Sequence, residues 1–277
     1  VLSFVSHLCF AQRNAFPDVL NLRTEVTNVK NILPSVFIDM GAWYAYALPE
    51  KKEHYGAFIG PLLMDMNGRW LANTLAQLNI IEGGKEIDLS AASAAIHYYP
   101  GLLEQQFQVN DLKITLQLIF LSANDALLQT EIVNTGKQER KLTVGYYGKT
   151  MLSTAKVNAL QNGIDIHFND SEHRFIINYP AGRKGIIQTD NQSYTVSFPA
   201  VNIAGGKAVQ FLQSQQFYHK AADMPVTKTT YQFLQALNKN KWRWDGYLQQ
   251  YFAKAGQLNN DKKRLVVKSN VTLMTNR

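Results

Sequence analysis

A short aromatic block contains the side chains whose chemistry stands out in this chain of 277 residues. Trp43, Tyr44 and Tyr46 lie between Gly41 and Pro49. A Trp or Tyr ring can stack on the apolar C–H face of a pyranose while nearby polar groups bind the hydroxyls. A loop bounded by glycine and proline follows, and such a loop could form the edge of a cleft. That loop contributes three more rings: His54, Tyr55 and Phe58.

These six residues have two interpretations that the sequence leaves open. They contact a carbohydrate or a following domain, or they fill the core between two β-sheets, where aromatic side chains are common. Alternation along an extended segment places Trp43 on one side and Tyr44 and Tyr46 on the other.

No pair of acidic residues stands out as catalytic. Hydrolysis of a glycosidic bond needs two carboxyl groups, about 5 Å apart for retention of configuration and about 6.5–9.5 Å apart for inversion. The candidates share no pattern: Asp39, Asp65, Glu82, Glu104 and Asp245. Asp39 lies inside the aromatic block, where we expect its carboxylate to hydrogen-bond the backbone of a turn. We therefore assign no catalytic residue within this chain.

The six histidines are dispersed and form no metal-binding pattern. Neither His-Glu-x-x-His nor a short His-x-His pair occurs, so we predict no metal site and no cofactor. His97 and His167, joined by a carboxylate, would imitate the site of a sugar epimerase, whose fold is also a large sandwich. The sequence contains no Gly-x-Ser-x-Gly nucleophile elbow and no phosphate-binding loop.

The basic charge balance does not indicate a nucleic-acid partner. The chain has 28 Lys and Arg, 21 Asp and Glu, and a net charge of +7. The basic residues are scattered, with the densest runs at Lys51–Lys52 and Lys262–Arg264, whereas nucleic-acid-binding proteins concentrate such charge on one stripe or helix. We interpret them as a solvated surface. No apolar run approaches the roughly 20 residues of a membrane-spanning helix.

The first twelve residues have the character of the end of a secretory signal peptide. Val1–Gln12 is apolar and has the small residue Ala11 before Gln12, as a cleavage site would. An N-terminal strand or helix of the mature fold is the alternative. The single cysteine, Cys9, excludes an internal disulfide. We expect residues 1–12 to be a signal-peptide remnant and the protein to be periplasmic or secreted.

Most of the chain shows the period-2 alternation of β-strands. The clearest example is Leu112–Phe120, whose large apolar side chains share one face while Lys113, Thr115 and Gln117 share the other. Further strands separated by turn residues are predicted at 126–133, 140–147, 163–168, 174–179, 193–198 and 209–218. Many short antiparallel strands with almost no helix between them favour a mainly β fold of two large packed sheets.

The spacing of apolar residues becomes helical from Thr229 onward. One helix face is predicted to carry Trp244, Tyr247, Leu248 and Tyr251, and this face needs a partner surface. Gly256 breaks the segment. A second helix, capped within Asn259–Asp261, continues through Lys268. We therefore predict a sandwich domain over residues 13–228 and a helical region over residues 229–277.

Several segments, in order, resemble the N-terminal domain of family 63 glycoside hydrolases, the family of processing α-glucosidase I and its bacterial relatives. The segment Phe37–Pro49 resembles the family's Phe-x-Asp-x-Gly-Ala-Trp motif and is the most specific match. The other matching segments are Tyr55–Pro61, Asn79–Asp88, Tyr99–Gln105, Trp242–Phe252 and Lys263–Asn276.

The resemblance implies an antiparallel supersandwich of the galactose-mutarotase type, followed by the start of a helical (α/α)6 catalytic barrel that lies beyond Arg277. In this interpretation the parent protein is an inverting hydrolase of α-glucosides or related oligosaccharides. The present chain is then its non-catalytic N-terminal domain, packing on the catalytic domain and forming one wall of its active site. The implied partners are that catalytic domain and an oligosaccharide. The alternatives are a free-standing carbohydrate-binding module and a sandwich-fold sugar epimerase or lyase.

Overall fold

The computed structural model describes residues 12–31, 35–65, 68–179, 184–224, 231–254 and 257–275. Three predicted features fall outside these ranges: the apolar segment before Gln12, the domain boundary at residues 228 and 229, and the helix break at Gly256. Short 3-10 helices occur at Gln12–Ala15, Lys52–His54 and Ala221–Asp223.

The described residues form eighteen strands. In chain order they are β1 (Arg23–Thr24), β2 (Tyr44–Pro49), β3 (Ile59–Leu63), β4 (Arg69–Trp70), β5 (Gln77–Glu82), β6 (Lys85–Glu86), β7 (Ser93–Tyr99), β8 (Leu102–Val109), β9 (Leu112–Phe120), β10 (Asp125–Asn134), β11 (Arg140–Lys149), β12 (Ala155–Leu160), β13 (Gly163–Phe168), β14 (Arg174–Asn178), β15 (Ile186–Asp190), β16 (Ser193–Ser197), β17 (Val201–Ile203) and β18 (Ala208–Tyr218). All the strands predicted from alternation are present.

The strands belong to three sheets. The largest has the order β12-β13-β14-β18-β10-β9-β8-β7, and the second has the order β15-β16-β11-β5-β6 with β17 also paired to β11. A four-stranded sheet, β1-β2-β3-β4, was not predicted. Only β1 and β2 pair in parallel among the described strands. The predicted mainly β, antiparallel sandwich is confirmed, with this small sheet as an addition.

The main core lies between the sheets, and β9 shows why. Its side chains at Leu112, Ile114, Leu116 and Leu118 are fully buried, while Lys113 between them is exposed. This is the alternation expected for a strand whose apolar face is covered. A polar contact also links the two large sheets, because the Tyr146 hydroxyl on β11 donates to Thr130 Oγ1 on β10 at 2.9 Å.

The first C-terminal helix, α1 (Phe233–Lys254), covers part of the outer face of the largest sheet. Ile119 on β9 and Leu127 on β10 form a separate apolar cluster with Phe233 at the start of α1. The second helix is α2 (Asn260–Thr275), and the Asn259 side chain accepts a hydrogen bond from the Lys262 backbone N–H at 3.0 Å. The predicted cap of this helix is therefore confirmed. Neither helix is long and apolar enough to span a membrane, as judged over the described residues.

Candidate functional site

The two tyrosines of the aromatic block belong to the core. Tyr44 and Tyr46 lie on β2 and are no more than 1% exposed. The Tyr44 hydroxyl donates to the Gln215 carbonyl at 2.5 Å, and the Tyr46 hydroxyl donates to the Gln215 side chain. Burial raises the pKa of both hydroxyls. As a correction to the carbohydrate-binding interpretation, these two rings are inaccessible to a ligand and occupy the core.

The following loop also turns inward. Phe58 is 3% exposed, and Tyr55 is half-buried with its ring 5.5 Å from that of Phe107. His54 Nε2 lies 3.0 Å from the side-chain nitrogen of Asn73. These contacts stabilise the loop against the sandwich, so the structure does not bring the loop to the ring of Trp43.

Among the described residues, one group of side chains could hold a metal ion, and it includes His54 of this loop. The ligand atoms of Glu25, Glu53 and His54 all lie within 4.8 Å of one another. However, Glu25 is already paired with Lys51, whose ammonium lies 2.7 Å from its carboxylate.

Trp43, by contrast, is 48% exposed and lines a pocket of about 620 Å³. Its position is fixed by its backbone, because its N–H donates to the Ala123 carbonyl and its carbonyl accepts from the Met64 N–H. The edge of the indole meets the ring of His219, with 4.8 Å between the ring centres. The pocket is lined by Trp43, Met64, Asp65, Arg69, Asp170, Ser171, His173 and His219.

These residues are brought together from the ends of strands in two sheets. Trp43 precedes β2 and Asp65 follows β3, both in the four-stranded sheet. His173 lies in the loop between β13 and β14, and His219 follows β18, so both are at one end of the largest sheet. The pocket therefore lies where the small sheet meets the end of the largest one.

Arg69 organises the charges of the pocket. Its Nε lies 2.6 Å from Asp65 Oδ2, and its Nη1 lies 2.7 Å from Asp170 Oδ2. Burial acts to raise the pKa of Asp170, but the hydrogen bond and charge of Arg69 outweigh it, so the net shift is downward. Asp170 is therefore ionised at neutral pH and is poorly suited to donate a proton.

The two histidines form an adjacent pair. His219 Nδ1 lies 3.4 Å from His173 Nε2, and the two rings meet edge to face. Burial lowers the pKa of His173, and the neighbouring His219 lowers it further. His173 is therefore neutral at pH 7.

The pair suggested by the sequence, His97 and His167, does not converge. His97 lies on β7 and contacts Asp18, whereas His167 lies on β13 and contacts Asn158. Five strands separate β7 from β13 in the largest sheet, which corresponds to roughly 29 Å at the usual strand spacing. These two histidines cannot act on one sugar.

The predicted interface face of α1 is already occupied by the sandwich. Trp244 is 2% exposed and Leu248 is fully buried. Tyr247 is half-buried with its ring 5.9 Å from that of Trp244, while Tyr251 remains 41% exposed. As a correction to the predicted role, the partner surface of Trp244 and Leu248 belongs to this chain.

Asp39 is the buried anchor for that contact. One carboxylate oxygen accepts from Asn240 at 3.2 Å, from Trp244 Nε1 at 3.1 Å and from Arg243. The other accepts from the Met40 N–H at 2.8 Å, which confirms the expected bond to turn backbone. Asp39 thus links the aromatic block to α1.

The N-terminal segment joins the same cluster through Arg13. Its Nη1 donates to Asn240 Oδ1 at 2.6 Å, and its backbone N–H donates to Asp245 at 2.8 Å. Burial lowers the pKa of Arg13 to about 10, although the charges of Asp245 and Glu104 oppose the shift. The cluster is therefore a buried, paired network that holds three segments of the chain.

A family model described as "Glucosidase YgjK, N-terminal" matches residues 17–201, which is more than half of the chain. The matched range includes the aromatic block and most of the pocket residues.

Solved structures of low sequence identity are also similar. A human-microbiome protein described as a kojibiose phosphorylase has 7% identity and a TM-score of 0.48, with 84% of this chain and 35% of that chain covered. A galactose mutarotase related enzyme from Lactobacillus acidophilus has 9% identity and a TM-score of 0.47, with 68% and 99% covered. An Escherichia coli K12 protein described as an aldose 1-epimerase has 7% identity and a TM-score of 0.46, with 67% and 99% covered. The chain thus spans about a third of the length of the phosphorylase.

Proposed function

The chain belongs to the family of glucosidase YgjK N-terminal domains, and from this premise we propose that it serves a glycoside hydrolase as a non-catalytic domain. The match over residues 17–201 is the observation that carries the proposal. The hydrolase is of the family 63 type and acts on α-glucosides or related oligosaccharides, as the motif at Phe37–Pro49 suggests. Its proposed location is the periplasm or the cell exterior, which rests on the apolar character of Val1–Gln12.

The state of the pocket carboxylates supports a non-catalytic role. A glycosidase acid must keep its proton near neutral pH, which requires a raised pKa. In the pocket, Asp65 and Asp170 both contact the Arg69 guanidinium, and the pKa of Asp170 is lowered. The Asp170 carboxylate therefore favours hydrogen bonding to a ligand over proton donation.

We further propose that the exposed faces of α1 and α2 contact a helical catalytic domain, so that the sandwich forms one wall of its active site. Four large apolar side chains remain exposed on these two helices, where a second domain would bury them. They are Leu234 and Trp242 on α1, and Leu265 and Leu273 on α2. This surface replaces the face of Trp244 and Leu248 that the sequence suggested.

The test compares the chain alone with the chain joined to the sequence that follows it in its parent protein. Both are incubated with the α-linked glucose disaccharides, each tested separately, and glucose release is measured. We expect release only from the longer protein. Turnover by the chain alone would show that it is an enzyme in its own right, and no turnover by either would argue against an α-glucosidase.

A second candidate, a sugar epimerase, is favoured by one observation. His173 and His219 share the pocket with two carboxylates, and a neutral His173 could act as a base. Polarimetry of freshly dissolved α-D-glucose separates the candidates. The leading proposal expects the buffer rate, whereas an epimerase would accelerate mutarotation and would lose this acceleration in His219→Gln.

A further inference from the structure

The pocket at Trp43 combines a fixed aromatic face with hydrogen-bonding groups. The indole exposes about half of its surface while both backbone polar groups of Trp43 are hydrogen-bonded. The indole also packs edge to face against the His219 ring, so a ligand that stacks on it meets an oriented ring, which lowers the entropic cost of binding. The volume of about 620 Å³ lies within the usual range of small-ligand pockets.

The charges around the ring select between classes of ligand. Asp65 and Asp170 contribute two negative charges, and Arg69 contributes one positive charge that both carboxylates already engage. The charged side chains that line the pocket therefore leave one net negative charge. Asp170 is 38% exposed, so its carboxylate can still accept hydrogen bonds from hydroxyl groups. Among the described residues that line the pocket, Arg69 is the one permanent cation and both carboxylates engage it, so an anion would meet a net negative charge.

We propose that this pocket binds one neutral pyranose of an oligosaccharide, stacked on Trp43 and hydrogen-bonded to Asp170, and that it excludes acidic saccharides. The choice of a saccharide as ligand rests on the proposed function. The preference for a neutral one rests on the charges of the pocket alone.

The experiment follows the indole N–H signals of the ¹⁵N-labelled full chain by NMR at pH 7, with maltotriose and trigalacturonate as probes. Maltotriose should shift the Trp43 signal, and trigalacturonate should not. Trp43→Ala should weaken maltotriose binding, measured by calorimetry, by at least roughly tenfold. Trp242→Ala is the matched control, because Trp242 is 70% exposed on α1 and does not line the pocket. It should leave binding unchanged.

A second variant tests whether the negative charge of the pocket excludes acidic saccharides. Asp170→Asn removes the excess negative charge, so it should retain maltotriose binding and allow trigalacturonate to bind. Circular dichroism of each variant verifies that it is folded. No shift with maltotriose, a loss of binding in Trp242→Ala, or equal binding of both probes by the unmodified chain would each overturn the proposal. These outcomes are independent of glucose release by the longer protein, so a failed binding test leaves the proposed function standing.

Discussion

Asp39 has a structural role that its position in a sequence motif does not reveal. It is 2% exposed, and its carboxylate accepts hydrogen bonds from three side chains of α1. A buried carboxylate is tolerated only when it is paired and hydrogen-bonded. Arg243 supplies the opposite charge, and Trp244 and Asn240 supply neutral donors. The carboxylate inside the aromatic block therefore holds α1 in place.

We predict that Asp39→Asn destabilises the protein by about 3 kcal/mol, because it leaves the half-buried Arg243 without its counter-charge. Urea unfolding followed by circular dichroism measures this loss. Glu139→Gln is the matched control, since Glu139 is exposed and the same change of charge there should alter stability by less than about 0.5 kcal/mol. Equal stability of the two variants would contradict the anchoring role.

Trp43 and Tyr44 show what strand alternation can and cannot predict about single residues. Alternation correctly separated Trp43 from Tyr44 and Tyr46, because adjacent residues of an extended segment face opposite sides. It could not decide which rings were buried, since aromatic residues suit a core as well as a ligand site. Only the packing of β2 against the largest sheet settles that Tyr44 and Tyr46 lie inside.

At the scale of elements, α1 docks on the sandwich through a position that only glycine can occupy. Gly101, between β7 and β8, has a φ of +78°, and a Cβ built there would lie 2.2 Å from Trp244 Nε1. The backbone at Gly101 therefore makes room for the indole. Helix and sheet approach each other closely only because this side chain is absent.

We predict that Gly101→Ala costs about 3 kcal/mol of stability, from the clash with Trp244 and from the left-handed backbone together. Gly84→Ala is the control, because Gly84 has a φ of +79° but no atom within 4 Å of its Cβ position. It should cost only about 1 kcal/mol. Thermal unfolding of both variants separates the cost of the left-handed backbone, which both share, from the cost of the clash with Trp244. Equal losses would mean that Trp244 moves aside freely.

The sequence predicted the long elements well and the short ones poorly. Leu112–Phe120 and α1 carry enough residues for a clear period, so their type and faces were visible. Two-residue strands such as β1 and β4 have no period to detect, so the four-stranded sheet was missed. The face of Trp244 was correctly identified as apolar, but its partner could not be inferred from spacing alone.

At the scale of the whole molecule, the pocket depends on contacts between distant parts of the chain. Asp65 and Asp170 were ordinary acids in the sequence, and His173 and His219 were dispersed histidines. They meet Trp43 because strand ends from two sheets converge. No local pattern encodes such an arrangement, which explains why the sequence analysis selected only Trp43 among the pocket residues as a binding residue.

The tyrosines buried in the core make the protein less stable at alkaline pH. Burial raises the pKa of six tyrosines that are at most 4% exposed: Tyr44, Tyr46, Tyr98, Tyr146, Tyr179 and Tyr194. In the unfolded chain these hydroxyls ionise near their ordinary pKa of about 10. Above that pH the folded protein binds more protons than the unfolded chain does, so the free energy of unfolding falls as pH rises. Below pH 10 this contribution to stability is fully present.

We therefore predict a steep loss of stability between pH 10 and pH 11.5, with each buried tyrosine contributing about 1.4 kcal/mol per pH unit once it is ionised in the unfolded chain. Urea unfolding at a series of pH values measures the slope. Tyrosines outside this group of six can ionise in the folded chain, so only the additional absorbance at 295 nm from the six buried hydroxyls should rise together with unfolding. Tyr98→Phe removes one of the six hydroxyls and should reduce the slope by one such contribution, compared with the unmodified chain at equal ionic strength. Stability that stays constant to pH 11.5, or ionisation of the six buried hydroxyls while the chain remains folded, would show that the core admits solvent to its hydroxyls.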